Sequence, residues 1–120
     1  LLSFKINGKS QLPRLAKKEA KIPEQPILIA SDEDILNGEK LYSNYCGACH
    51  GAGAHGKTIV DLRYITKDKH ELFNNIVLNG LLEENGMSGF SDLLTIKDTE
   101  NIHAYIIDVA TKDRLAQQNK

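Results

Sequence analysis

Beyond residue 30, apolar residues recur at the spacing of amphipathic helices, and the first predicted helix begins at Ser31. Ser31 followed three residues later by Asp34 is a capping box, and the acidic residues that open this stretch favour a helix N-terminus. The apolar face then consists of Ile35, Leu36, Leu41, Tyr42 and Tyr45. The pattern therefore predicts a helix that leads directly into a pair of cysteines.

Two further helices are predicted in the second half of the chain. Asp68 and Glu71 open one of them, and Gly80 is a suitable C-terminal stop. Thr95 and Asp98 cap the other. The apolar faces consist of Leu72, Phe73, Ile76 and Val77 in the first of these helices and of Ile102, Tyr105, Ile106 and Val109 in the second. No strand alternation appears after residue 10, so the predicted fold class is all-α.

Two glycine-rich stretches, 51–66 and 81–94, separate the predicted helices. Loops of this length are uncommon in a compact domain unless something orders them. A bound cofactor around which the helices pack would explain them. Such a body would also help a chain of only 120 residues to bury enough surface.

The first thirty residues differ from the rest in composition. Residues 1–9 alternate like a strand and contain an Asn-Gly turn signal, while 13–26 hold all three prolines and read as an extended arm. Residues 1–30 carry six Lys or Arg and two acidic residues, whereas 31–120 carry nine and fourteen. We therefore expect an extended proline-containing arm or linker at 1–30, a folded domain at 31–112 and a polar C-terminal tail at 113–120. The basic arm would either dock an acidic partner or be a severed linker.

The net charge and the lengths of the apolar runs exclude some classes of function. The net charge of −1 and the pI of about 6.5 give no basic stripe for nucleic acid. No apolar run approaches the ~20 residues of a transmembrane helix, and no signal peptide is visible. The chain starts with Leu1 and its only methionine is Met87, as expected of a processed or excised product.

Both cysteines of the chain lie in the motif Cys46-x-x-Cys49-His50. On a helical turn these three side chains project from one face, so two thiols can bond to one edge of a haem while the imidazole reaches its iron. A redox dithiol is an alternative, but it usually accompanies a βαβ pattern, which is absent. A zinc site would need further ligands, and only His55 lies close by. Chance occurrence is the last alternative. The motif favours covalent haem attachment.

A haem iron can take a second axial ligand, for which the candidates are Met87, His55, His70 and His103. Met87 lies between glycines in a loop, where it could be brought across the haem, although a lone methionine is more often core filler. His70 and His103 fall within predicted helices beside charged residues and are interpreted as solvated. His55 is too close to His50 to reach the opposite side. The pattern favours Met87.

Two motifs resemble the class I cytochromes c, namely the run Cys46–Gly51 and the spacing Gly86-Met87-x-x-Phe90. In that class the first and last helices cross at a glycine and an aromatic residue. Gly38 and Tyr42 on the first predicted helix and Ile102 and Tyr105 on the last match this pattern.

The resemblance narrows to the C-terminal haem c domain of PQQ-dependent quinohaemoprotein alcohol dehydrogenases. It is carried by Leu1–Lys5, the proline arm, Asp61–Tyr64, Ile76–Gly80 and Gly86-Met87. It implies a small all-α cytochrome with three or more helices around one covalent haem c, placed in the periplasm. Cys46 and Cys49 would bind the haem, and His50 and Met87 would bind its iron.

By the same resemblance the domain would transfer single electrons and would not be an enzyme on its own. A quinoprotein dehydrogenase would be the donor, and a cytochrome, a copper protein or an oxidase the acceptor. Arg63 and Tyr64 would either bond a haem propionate or be an ordinary surface arginine and a packed tyrosine.

Two departures from the family pattern leave alternatives open. Val60 and Ser88 stand where the family often has proline, so the support of the His50 ring and the stiffness of the Met87 loop are in question. A haem-based redox or gas sensor with a displaceable Met87 is therefore the alternative function. Peroxidase-like activity through a displaced Met87 is a further option.

Overall fold

The computed structural model describes residues 20–56 and 60–119, and within these it contains five α-helices and no strand. The helices are α1 (Asp32–Tyr45), α2 (Gly47–His50), α3 (Lys67–Glu71), α4 (Phe73–Asn79) and α5 (Ile96–Gln118). Short 3-10 turns at Ala52–Ala54, Leu62–Tyr64 and Glu83–Asn85 interrupt the loops. The all-α prediction is confirmed. The predicted strand at 1–9 and the first part of the arm lie outside the described residues.

Side-chain caps begin the two long helices where the sequence predicted them. The Ser31 side chain accepts a hydrogen bond from the Asp34 N–H at 3.1 Å. At α5 the capping box is complete, because Thr95 accepts from the Asp98 N–H and the Asp98 carboxylate accepts from the Thr95 N–H, both at 3.0 Å. These bonds fix the start of each helix.

The helix predicted around residues 68–80 is two helices. α3 and α4 are separated at Leu72, whose backbone leaves the helical region with φ −96° and ψ 8°. Leu72 was predicted on the apolar face but is 40% exposed at this break. Phe73, Ile76 and Val77 are buried as predicted, and α4 ends at Gly80.

The core forms where α1 crosses α5. A Cβ added at Gly38 would overlap the carbonyl oxygen of Asn101 and crowd the nitrogen of Ile102, so the two backbones meet closer than any other residue would allow. One turn further on, the rings of Tyr42 and Tyr105 lie 5.4 Å apart between centroids. The predicted glycine-and-aromatic crossing is confirmed.

Residues 20–30 form no helix or strand, yet part of this segment packs on the folded body. Ile22 is 2% exposed, and its N–H donates to Oε1 of Gln117 at 2.9 Å. α5 continues to Gln118, so residues that we assigned to the polar tail are helical. The domain boundaries themselves stay a prediction. Within the described residues, no helix combines the length and apolar character needed to cross a membrane.

Candidate functional site

The two cysteines and His50 lie on one helical turn directly after α1. Cys46 caps α1, since its N–H donates to the Tyr42 carbonyl at 2.8 Å. The N–H groups of Cys49 and His50 both donate to the Cys46 carbonyl, at 3.2 and 2.9 Å. The predicted helical spacing is therefore present, and it places the three side chains along one face of the turn.

Cys46 is buried and lacks the character of an attacking thiol. Both cysteines are free, with Cys46 buried and Cys49 exposed. Burial, and then the neighbouring charge of Cys49, raises the pKa of the Cys46 thiol to about 11. The attacking thiol of a dithiol oxidoreductase has a lowered pKa, so Cys46 is not suited to that role. Among residues 20–56 and 60–119, no group of three His, Cys, Asp or Glu is arranged to hold a metal ion.

His50 is held by the backbone carbonyl of Val60. The distance from His50 Nδ1 to the Val60 oxygen is 2.9 Å. A carbonyl oxygen only accepts, so Nδ1 carries the proton and the lone pair of Nε2 stays free for a metal. The absence of proline before Asp61 therefore does not prevent this support of the ring.

The segment that carries the Val60 carbonyl is tied to α5 by ion pairs. Asp61 accepts from Arg63 Nη2 at 2.7 Å and from Arg63 Nε at 3.0 Å. Arg63 Nη1 donates to Asp113 Oδ2 at 3.1 Å, and His55 Nε2 donates to the same oxygen at 2.9 Å. Burial alone would raise the pKa of Asp61, but the hydrogen bonds and charge of Arg63 outweigh it and hold that pKa below its usual range. The Arg63 side chain is only 15% exposed, so it is not an ordinary surface arginine.

A second support lies immediately after His50. Gly51 has φ +86°, and a Cβ at this position would collide with the His55 carbonyl oxygen. The buried hydroxyl of Tyr42 donates to the Gly51 carbonyl at 2.6 Å. The same tyrosine therefore joins the crossing of α1 and α5 to the turn that carries His50.

Met87 lies in a loop that is pinned on both sides. Its own N–H donates to the Leu82 carbonyl at 3.2 Å, and the Phe90 N–H donates to the Val77 carbonyl at 2.7 Å. The Met87 side chain is half-buried and packs against the core, which shows that it is neither free nor fully enclosed.

Half-buried apolar side chains cover this part of the core and suit a large apolar cofactor. They come from the end of α1, from the stretch after Val60, from α4 and from the Met87 loop. They are Tyr45, Leu62, Ile65, Leu78, Met87 and Phe90. A flat apolar group would remove such surface from water, so the residues present fit a haem.

His70 and His103 differ from the sequence prediction. We interpreted both as solvated, but His70 is buried and His103 is half-buried. Nδ1 of His70 and Nε2 of His103 share a hydrogen bond of 2.9 Å, and the His103 ring stacks on Phe73 at 4.1 Å. Burial lowers the pKa of both rings, that of His103 to about 4. The solvated interpretation is wrong, because α3 and α5 pack these faces together.

A family profile described as cytochrome c oxidase, cbb3-type, subunit III matches residues 33–106. The chain belongs to this cytochrome c family. Covalent haem c is the cofactor of such cytochrome c domains, and electron transfer is their role.

Quinohaemoprotein alcohol dehydrogenases are among the relatives of this cytochrome c domain. It is 37% identical over 119 residues to quinohaemoprotein alcohol dehydrogenase ADH IIB of Pseudomonas putida, covering 98% of the chain but only 17% of that protein. The solved structure of ADHIIG from Pseudomonas putida HK5 matches with a TM-score of 0.72 and 35% identity, over 84% of the chain and 14% of that protein. The predicted resemblance is confirmed, and the chain spans about a sixth of these relatives' length.

A stand-alone relative is also similar. A cytochrome c6-like protein of Nostoc sp. is 32% identical over 89 residues, which cover 69% of this chain and 78% of that protein. The cytochrome c domain therefore has relatives both as a part of long dehydrogenases and as a small protein.

Sequence reasoning missed Asp113 as part of the site, and it did not predict that Arg63 and His55 meet there. Asp113 contacts them across 50 and 58 positions, which no local spacing reveals. Asp113 had also been assigned to the tail. The available signal was the helical spacing of α5, which continues through that position.

Proposed function

We propose that this domain transfers single electrons through one haem c held by Cys46, Cys49, His50 and Met87. The two thiols would form the thioether bonds, and His50 Nε2 and the Met87 sulfur would bind the iron. Haem c, when bound, supplies an iron that gains and loses one electron. The domain itself does not catalyse the oxidation of a substrate.

The hydrogen bond between His50 and Val60 is the observation that carries this proposal. It gives the imidazole the tautomer that a metal ligand requires and fixes the direction of its ring. The helical turn from Cys46 to His50 supplies the spacing for two thioethers and one ligand from a single segment. A redox dithiol usually accompanies a βαβ unit, and the described residues contain no strand.

The Met87 loop favours an electron carrier over a gas sensor. A sensor requires Met87 to leave the iron readily, but the bonds to Leu82 and Val77 restrain both sides of the loop. With both axial positions filled by protein ligands, no position remains for a substrate or a gas. Carbon monoxide should therefore bind the reduced protein slowly or not at all, and rapid binding would favour the sensor.

The relatives suggest where the electrons come from. ADH IIB is a quinohaemoprotein alcohol dehydrogenase, so a quinoprotein dehydrogenase, in the same chain or a separate one, is the proposed donor. The proposed acceptor is a cytochrome, a copper protein or an oxidase, and the proposed compartment is the periplasm. Reduction by a quinoprotein dehydrogenase in stopped-flow mixing tests the donor, and a rate no faster than that of unrelated reductases would reject it.

Covalent attachment is tested by denaturing extraction followed by absorption spectra. We expect the haem to stay with the wild-type polypeptide and the oxidised protein to show a weak far-red sulfur-to-iron band. Cys46→Ala with Cys49→Ala should release the haem. His50→Gln should lose the native spectrum, whereas the matched variant His55→Gln should keep it. Release of haem from the wild type would overturn the proposal.

The sixth ligand is tested separately with Met87→Ala. This variant should lose the far-red band, have a lower reduction potential and bind carbon monoxide, because a thioether ligand raises the potential and occupies the position. Phe90→Leu, which alters the same loop and keeps the thioether, is the control. An unchanged spectrum in Met87→Ala would reject Met87 as the ligand.

A further inference from the structure

Asp113 on α5 is connected to His50 through an unbroken series of contacts. Its Oδ2 accepts a hydrogen bond from Arg63 Nη1 at 3.1 Å. The other two guanidinium nitrogens, Nη2 and Nε, donate to the Asp61 carboxylate at 2.7 and 3.0 Å. Asp61 is the residue directly after Val60, whose carbonyl oxygen accepts a hydrogen bond from His50 Nδ1–H over an N–O distance of 2.9 Å. α5 is thereby joined to the imidazole without touching it.

The turn between Asp61 and Tyr64 makes this connection stiff. The Asp61 side chain accepts from the Arg63 N–H at 3.0 Å, and the Tyr64 N–H donates to the Asp61 carbonyl at 3.1 Å. Asp61 is therefore held by both its side chain and its backbone. Since the Asp61 and Arg63 side chains are 20% and 15% exposed, this pair is better shielded than an ion pair at the surface.

We propose that Asp113 and Arg63 are positioning residues. They hold the Val60 carbonyl within hydrogen-bond distance of His50 Nδ1 and thereby set the reduction potential of the domain. The inference rests on the proposed role of His50 as an axial ligand. A carbonyl that accepts the Nδ1 proton makes the imidazole more basic, and a more basic ligand stabilises the oxidised iron. Loosening the network should weaken that bond and raise the potential.

A purely electrostatic effect of the Asp113 and Arg63 charges on the haem would change the reduction potential differently from an effect on the His50 hydrogen bond. Asp113→Asn removes a negative charge and Arg63→Gln removes a positive one, so their through-space effects on the potential have opposite signs. Positioning predicts that both variants raise the potential. At a fixed ambient potential, we expect the ratio of reduced to oxidised protein to rise roughly threefold to tenfold in each, the value of one ordinary hydrogen bond.

The experiment is a redox titration of the haem-loaded full chain, with the His50 Nδ1–H resonance followed by NMR. Asp108→Asn is the matched control, because Asp108 lies on the same helix and pairs at 2.9 Å with Lys112 instead. The control should leave the His50 resonance unmoved, whereas Asp113→Asn and Arg63→Gln should both shift it. Circular dichroism checks that each variant is folded.

Arg63→Lys provides a second test that keeps the charge. Lysine cannot donate two parallel hydrogen bonds to the Asp61 carboxylate as arginine does. If Arg63 acts by positioning, this variant should have a raised reduction potential. If it acts only through its charge, the potential should not change. The inference would be overturned if the reduction potentials of Asp113→Asn and Arg63→Gln moved in opposite directions while the His50 resonance did not move. The proposed function would stand in that case. Absence of the sulfur-to-iron band and of covalent haem in the wild type would overturn the proposed function as well.

Discussion

His103 lies between the face of the Phe73 ring and the edge of His70, and this environment governs its charge. Burial, and then the neighbouring His70, lowers the pKa of His103 to about 4. In the unfolded chain a histidine has a pKa of ~6.5. Between these two values the unfolded chain binds a proton that the folded protein does not, so stability falls as the pH drops.

We therefore predict that the free energy of unfolding decreases by on the order of 2–3 kcal/mol between pH 6.5 and pH 4 because of this ring. Urea unfolding at both pH values measures it. His103→Gln should lose most of this pH dependence, whereas His55→Gln, which alters an exposed histidine, should retain it. An equal pH dependence in wild type and His103→Gln would contradict the prediction.

The Tyr42 hydroxyl gives a second prediction at this scale. Tyr42→Phe removes the donor that the Gly51 carbonyl accepts at 2.6 Å and leaves that carbonyl poorly satisfied. We expect a loss of about 1–2 kcal/mol in thermal or urea unfolding. Tyr105→Phe, in the other ring of the pair, is the control, because no described residue accepts a hydrogen bond from its hydroxyl. An equal loss in both variants would show that the bond to Gly51 contributes nothing specific.

At the scale of elements, the close approach of α1 to α5 depends on one missing side chain. Gly38→Ala would place a methyl group into the Asn101 carbonyl, and backbone cannot move aside cheaply. We predict a destabilisation of roughly 2–4 kcal/mol, measured by urea unfolding. Gly47→Ala is the matched control, since its added Cβ would meet Tyr42 atoms only at 3.7 and 3.8 Å. A Gly38→Ala variant as stable as the control would refute the tight crossing.

Prediction of elements succeeded where local signals act alone. Ser31 and Thr95 begin α1 and α5 through contacts three residues long, which the sequence displays directly. The break at Leu72 has no such signal, because neither glycine nor proline marks it. The burial of His70 was missed for a different reason, since it depends on α5, which is distant in sequence.

At the scale of the whole molecule, residues 20–30 are the part whose status the sequence left undecided. We predict that Ile22→Ala costs about 2–4 kcal/mol in unfolding, because the side chain is buried and Gln117 accepts from its backbone. Ile27→Ala, in the same segment but 87% exposed, should cost close to nothing. Equal and negligible losses would mean that the segment is a linker and not part of the folded domain.

The residues of the candidate site also differ in whether local sequence spacing or contacts between distant segments bring them together. Cys46, Cys49 and His50 could be predicted because the chemistry needs them within one turn. The Val60 carbonyl could not, since any residue supplies one and only the fold brings it to His50. The ion pairs behind Val60 reach from the loop to the far half of α5, so tertiary packing alone reveals them.

The crossing of α1 and α5 also has a consequence for the order of events during folding. It joins distant segments, as in the ion pair of Lys97 with Asp34, 63 residues apart. Cys46 follows directly on α1 and is buried in the folded domain. We therefore expect its thiol to be most accessible to attachment chemistry before α5 docks on α1.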